Sequence, residues 1–459
     1  MPRGQGGTLS GFTPLSTPNA PTDLSVSTSI GSASVSFTPP ADTGDAAVTS
    51  YIVTAIDEST GASTGATGSS SPISISPGGG TFKIRAQAVN GFGPGRLTEF
   101  VPGQAILSGA ELYAWGFNNN GQLGDGTVVA RSSPVQVGAL TTWSHVATGN
   151  TSAGIKTDGT LWVWGSNSNG QLGDNTTASK SSPVQIGALT TWGQVEFGGG
   201  HTIALETTGE LYAWGLNGNG QLGDSTVVYK SSPIQVGALT TWSQVAAGSV
   251  HSAALKTDGT LWVWGTNSSG QLGNGTVVSR SSPIQVGAFT NWSQVSTGSD
   301  NIVAVKTDGA LWAWGRNVLG ELGDGTASNR SSPVQIGALT TWSQVEAGSN
   351  HTVAVKTDGT LWAWGTNGSG RLGDNTVVSK SSPVQIGALT TWLRVSGGES
   401  QTGALKTDGT LWVWGGNSLG QLGDGTVVNK SSPIQIGAST SWYQVFAGGN
   451  STIALLGVI

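Results

Sequence analysis

The strongest constraint on this chain is a unit of about fifty residues that recurs seven times and claims every tryptophan. The pattern Leu-(Trp/Tyr)-(Ala/Val)-Trp-Gly begins at Leu112, Leu161, Leu211, Leu261, Leu311, Leu361 and Leu411. All 19 tryptophans fall in three columns of that register. One runs from Trp115 to Trp414, a second from Trp143 to Trp442, and the third holds Trp162, Trp262, Trp312, Trp362 and Trp412, with Tyr113 and Tyr212 completing it. A side chain demanded by every copy of a packing unit is architecture before it is chemistry.

Each unit carries four strand-like runs. From Asn350, the run His351–Lys356 turns at Asp358-Gly359 into Leu361–Trp364, followed by Ser382–Ile386 and Trp392–Val395. Asp-Gly between alternating runs is a strong hairpin signal, and it recurs at Asp158, Asp258, Asp308 and Asp408. Four short strands repeated seven times predict a seven-bladed β-propeller over residues 104–459. An open array would need distinct capping repeats, and none is present. The repeats begin at Glu111-Leu112-Tyr113 without a preceding hairpin partner, and Ser451–Leu456 at the other end is that partner. The C-terminal strand is therefore expected to close the ring.

Residues 20–102 read as a separate β-sandwich. Alternation appears at Leu24–Ser27, Ala33–Phe37, Tyr51–Val53 and Phe82–Ala86, between Pro, Gly, Asp and Ser clusters. Pro21-Thr22-Asp23-Leu24, Val35-Ser36-Phe37-Thr38-Pro39-Pro40, Ser50-Tyr51 and Ala86-Gln87-Ala88-Val89-Asn90-Gly91-Phe92-Gly93 resemble a fibronectin type III module. Phe37 stands where that module usually has tryptophan, and Phe82 where it has tyrosine. The resemblance implies a spacer or presenter. Residues 1–19, rich in Gly, Ser, Thr and Pro, form a polar arm that alone would be disordered and is expected to dock on something larger. The fold class is thus all-β throughout.

Composition excludes several functions. Charged residues are 10% and the formal net charge is -6, with no basic tail or stripe, so nucleic acid is not an expected partner. Cysteine is absent, which removes disulfides and thiolate metal sites. No stretch has transmembrane length, and the first thirty residues hold no apolar run of signal-peptide length.

The repeat also resembles that of the regulator of chromosome condensation family. The residues that carry the likeness are Leu361-Trp362-Ala363-Trp364-Gly365-Thr366-Asn367-Gly368-Ser369-Gly370-Arg371-Leu372-Gly373, Pro383-Val384 and Ala347–Ala354. The likeness implies a seven-bladed propeller, and the family includes a nucleotide-exchange factor for a small GTPase.

The polar columns read first as structure. His201, His251 and His351 share a column with Asn301, Gln401 and Ser451, a set that keeps hydrogen bonding rather than metal ligation. His145 replaces a repeated Gln and reads as a surface residue. Asp125, Asp174, Asp224, Asp324, Asp374 and Asp424, with Asn274, read as turn residues. Six residues on, Arg131, Lys180, Lys230, Arg280, Arg330, Lys380 and Lys430 are positioned to pair with them. No catalytic, cofactor or metal residue stands apart from the repeats, so an enzyme is not expected. Binding residues are sought where repeats disagree: Phe117, Leu216, Tyr229, Arg316, Val318, Leu319 and Leu419, with Glu196-Phe197 and Tyr443 as further departures.

These features together lead to the expectation of a non-enzymatic virion component of a bacteriophage, a fibre, tail or capsid decoration. The arm would bind other virion proteins within a homo-oligomer or larger assembly, and the propeller would meet a host glycan or protein. The alternatives are a bacterial surface or extracellular adhesin, a GTPase regulator, and a protein inhibitor of the kind that blocks β-lactamases.

Overall fold

The structure is a computed structural model that describes residues 16–29, 31–106 and 108–458. Every regular element among them is a β-strand. The chain divides into two compact units, residues 1–109 with 458–459, and residues 110–457.

In the first unit, β1 (Thr22–Ser29), β2 (Ser32–Thr38) and β5 (Ile73–Ile75) form one sheet. The other orders β4 (Ser63–Gly68), β3 (Val48–Asp57), β6 (Gly80–Asn90) and β7 (Gly93–Leu97), and β8 (Val101–Ile106) also pairs with β6. Alternation decides the packing: Val35, Phe37, Val53, Ile73, Ile75, Phe82 and Ile84 point into one shared core, and the residues between them point out. Phe37 meets Tyr51 with ring centroids 4.8 Å apart. The sheet runs past residue 102, because β8 continues the pairing to Ile106. Of the polar arm, residues 1–15 lie outside the described residues. Ser16 is tied down, its backbone N–H and hydroxyl both donating to Asp45.

The second unit contains seven four-stranded antiparallel sheets. Blade 1 is Trp143–Thr148, Thr151–Lys156, Leu161–Gly165 and Lys180–Gln185. Blades 2 to 6 repeat it and start at Trp192, Trp242, Trp292, Trp342 and Trp392. Blade 7 joins the two ends of the repeat region: Trp442–Ala447 and Ser451–Val458 sit beside Gly109–Gly116 and Arg131–Gln136. Its neighbours on both sides are in contact with it. Thr148 of blade 1 is 3.1 Å from Ser451, and Gly425 of blade 6 donates to the Ser132 carbonyl at 2.8 Å.

Tryptophans fill the wedges between blades. Between blades 3 and 4, Trp292 and Trp314 pack with Leu261, Val263 and Leu272. Trp164, Trp214, Trp264, Trp314 and Trp414 each donate their indole N–H to a backbone carbonyl of the preceding blade, at Gln122, Gln171, Gln221, Gln271 and Arg371. In these five the indole is buried without losing its hydrogen bond. One glycine column is forced by this packing: Gly223 has φ +75°, and a Cβ there would lie 2.8 Å from the Trp264 indole nitrogen.

The first strand of each blade touches its counterparts on both sides, so it lies nearest the ring axis. Its inner edge is unpaired, a liability for any strand. The preceding blade covers it. Gln194 donates to the Val245 carbonyl and accepts from the Val245 N–H, both at 3.0 Å. Gln244 and Gln294 do the same to Val295 and Val345, and Gln344 accepts from Val395.

Candidate functional site

The loops joining third and fourth strands emerge on one side of an antiparallel blade, and here they are long. Each is built around a buried asparagine. Asn217 donates to Asp224 at 3.1 Å and to the carbonyls of Thr226 and Val228 at 3.2 and 3.1 Å, and it accepts from the Leu222 N–H at 3.0 Å. Asp224 in turn accepts from the Thr226 N–H and hydroxyl. The column Asn118, Asn167, Asn217, Asn267, Asn317, Asn367 and Asn417 is buried in every blade. Sequence reading missed it, although its sevenfold recurrence seven residues before the Asp column was the signal.

The cationic column is engaged. Arg131, Lys180, Lys230, Arg330, Lys380 and Lys430 pair with the aspartates of their own loops at 2.7 to 4.0 Å. Burial works to raise the Asp125 carboxyl, but the bonds from Thr127 and Arg131 outweigh it and hold it below the usual carboxylate range. Blade 3 has Asn274 in place of Asp, and there Arg280 is exposed without an ion pair among the described residues.

All seven sequence-predicted binding residues lie on these loops, spread over four blades rather than gathered in one patch. Leu216 and Tyr229 belong to blade 2, Arg316, Val318 and Leu319 to blade 4, Leu419 to blade 6 and Phe117 to blade 7. Tyr229, Val318, Leu319 and Leu419 are exposed. Phe117 and Leu216 are half-buried, their N–H groups donating to the carbonyls of Asn450 and Gly200. Arg316 is engaged within its own loop. Its guanidinium lies 2.7 Å from the carboxylate of Glu321, which is buried and stands where five blades have Gln and blade 5 has Arg371, and it also donates to Asn350. An uncompensated carboxylate there would be costly, so Arg316 serves as its counter-ion.

The same face carries an exposed feature that repeats hid. Val128–Val129, Val227–Val228, Val277–Val278, Val377–Val378 and Val427–Val428 are 57–62% exposed in blades 7, 2, 3, 5 and 6. Blade 1 has Thr177–Ala178 and blade 4 has Ala327–Ser328 at those positions. Reading function only from disagreement between repeats passed over them.

On the opposite face, Lys156, Lys256, Lys356 and Lys406 sit 3.6–3.8 Å from the ring centroids of Trp162, Trp262, Trp362 and Trp412. A groove of about 470 Å³ reaches Trp342, Lys356 and Trp362 from the long loop of blade 4, where Asp324 and Arg330 also line it. One face of that indole is taken by the ammonium.

The histidines are structural where the ring narrows. His201 lies 2.8 Å from the Ser252 hydroxyl and His351 2.9 Å from that of Thr402. Ile302 stands where that hydroxyl would be for His251, which has no such partner. Burial pushes these imidazoles down, His201 and His351 to about 3 and His251 to about 4, so they are neutral. His145 is not a surface residue. It takes the place of the inner-edge Gln, half-buried, 3.4 Å from the Val195 carbonyl and edge-on to Phe446 at 5.6 Å, and burial pushes it down to about 4. Two carboxylates share that inner edge. Burial, then the charge of Glu346, pushes Glu196 up to about 8, and burial pushes Glu346 up to about 7 against a bond from Ser296. Tyr443 packs over the Arg394 guanidinium at 5.7 Å.

The description "RCC1-like domain" matches residues 191–457, more than half of the chain. This protein belongs to the RCC1-like family. Regulator of chromosome condensation (RCC1) repeats also match at residues 110–154, 158–205 and 144–171. Human WBSCR16 is similar in structure, with a TM-score of 0.70 and 26% identity over 76% of this chain and 99% of that one. Prp20p from Saccharomyces cerevisiae gives a TM-score of 0.69 at 19% identity, over 76% and 92%. That structure was described with its binding to Gsp1p and histones, and yeast RCC1 (Prp20) is also known bound to Kap60. No curated protein matches this RCC1-like chain.

Proposed function

We propose that this RCC1-like protein is a non-enzymatic interaction protein whose closed seven-bladed ring uses the long-loop face as its contact surface. One observation carries the reading. The loop framework is held internally by asparagine, aspartate and its paired cation, while Tyr229, Val318, Leu319, Leu419 and the valine pairs project from it exposed. Exposed apolar side chains on a rigid, charge-paired frame suit protein contact better than chemistry on a bound substrate. The buried histidines and the Asp column are engaged in the fold, which supports the same conclusion.

The fuller reading is a bacteriophage virion component. The polar arm (1–19) would attach to other virion proteins, a fibronectin type III-like spacer (20–102) would follow, and the propeller would be displayed for contact. Blotting purified particles for this chain tests it: presence in stoichiometric amount is expected, and absence ends the virion role. A second reading, a GTPase regulator, is favoured by the Gsp1p binding described for Prp20p. A nucleotide-release assay against a small GTPase decides it, and no acceleration is expected here.

A further inference from the structure

We propose that the long-loop face pairs with the same face of a second copy of this chain, through the five valine pairs. The loop itself does not require valine. In blade 1 Asn167 donates to the Ala178 carbonyl at 3.2 Å, and in blade 4 Asn317 donates to that of Ser328 at 3.2 Å, the same bond Asn217 makes to Val228 at 3.1 Å. The fold is equally served by Thr-Ala or Ala-Ser, yet five blades hold two β-branched apolar side chains in water.

The area suits a dimer. A wholly exposed valine presents about 100 Å² of apolar surface on the transfer scale, so the pairs amount to roughly 600 Å². Two such faces bury roughly 1,200 Å², the lower end of stable association. Tyr229, Val318, Leu319 and Leu419 on the same face add to it. Charge opposes the contact little, because the loop aspartates are paired with their own lysines and arginines, which leaves Arg280 of blade 3 as the loop cation without an ion pair among the described residues. Geometry selects the partner. The pairs lie on both sides of the ring, in blades 2 and 3 and in blades 5, 6 and 7, with blades 1 and 4, which lack the pair, between. A compact partner reaches adjacent blades only, whereas a second ring related by a two-fold axis meets both groups at once in an isologous interface.

This rests on the reading that the long-loop face is the contact surface. Sedimentation velocity of the full chain across the micromolar range tests it. The wild type is expected to dimerise. Giving blades 2 and 3 the residues of blade 1 (Val227→Thr, Val228→Ala, Val277→Thr, Val278→Ala) is expected to weaken the dimer about 100-fold with an unchanged thermal midpoint. Leu239→Thr with Leu389→Thr on the opposite face is expected to leave it intact. A wild type that stays monomeric, or a dimer indifferent to the valine changes, overturns the proposal. If the valine variant still loses attachment to host cells, the contact face survives and only the second copy is wrong. If attachment is also unmoved, both readings fall.

Discussion

The inner edge of the ring and the long loops treat the same sevenfold repetition in opposite ways. In the loops the buried asparagine column is invariant, from Asn118 through Asn417, and most of what varies is exposed, the buried Glu321 with its partner Arg316 being a departure. At the inner edge the frame itself varies: Gln194 becomes His145 or Arg394, and neighbouring positions hold Glu196, Glu346 and Phe446. The loops must satisfy many backbone groups within one segment, and only one side-chain shape does that. The inner edge has to satisfy few groups per blade, so different side chains suffice where their neighbours adjust, as Phe446 does beside His145.

The loops should therefore be the more brittle of the two. Asn217→Ala removes a buried amide that serves several backbone groups, and a loss of about 2–4 kcal/mol is expected, read as a lowered thermal midpoint. Gln244→Ala at the inner edge is expected to cost about 1 kcal/mol by the same measurement. Equal losses would remove the distinction.

The carboxylates sharpen the comparison through pH. Glu196 and Glu346 keep protons in the folded chain that the unfolded chain has released, since their pKa values are raised to about 8 and about 7. Their contribution is present at low pH and lost as pH rises through 7 to 8. The imidazoles of His145, His201, His251 and His351 run the other way, depressed to about 3–4, so their contribution is lost as pH falls below the ordinary imidazole range. Stability is expected to peak at roughly pH 6–7. Glu196→Gln with Glu346→Gln should flatten the alkaline arm, raising stability at pH 8.5 by on the order of 1–3 kcal/mol in thermal unfolding. An arm of unchanged slope would show that those groups do not titrate as placed.

His351 and His251 offer a smaller contrast within one column. Thr402→Val takes from His351 the hydroxyl that Ile302 already denies His251. The expected cost is about 1–2 kcal/mol, including the Thr402 bond to the Arg371 carbonyl. No change would mean that the inter-blade hydroxyl is dispensable.

What sequence reading recovered follows the same division. The tryptophan wedges, the Asp-Gly hairpins and the pairing of Asp324 with Arg330 are local or repeated, so period and spacing expose them. The role of His145 was not legible, because which polar column faces the axis is set by how seven sheets close, not by any one repeat. The ion pair of Arg316 was not legible for a related reason: its partner Glu321 is five residues away, and the burial that calls for a counter-ion is absent from a string of letters. The valine pairs were visible but looked like frame because they recur.

The hairpins on the opposite face show a covariation that tests how far blades are interchangeable. Where Lys156 sits over Trp162, Thr160 accepts from the indole N–H at 3.0 Å. In blade 2 the same positions are Glu206, Tyr212 and Glu210, and in blade 7 they are Leu456, Tyr113 and Glu111, with the Tyr113 hydroxyl donating to Glu111 at 2.9 Å. An indole face attracts an ammonium more strongly than a phenol does, while a phenol hydroxyl is the better match for a carboxylate, so Lys goes with Trp and Tyr with Glu, although blade 4 keeps Lys306 and Trp312 with Ala310 in place of the threonine. Tyr212→Trp alone in blade 2 is expected to cost about 0.5–1 kcal/mol, since the indole meets two carboxylates and no cation. Adding Glu206→Lys and Glu210→Thr should recover that loss to within about 0.3 kcal/mol of the starting thermal stability. Additive losses across the three changes would mean that each hairpin position is chosen independently, and that blade 2 differs from blade 3 by drift rather than by a coupled exchange.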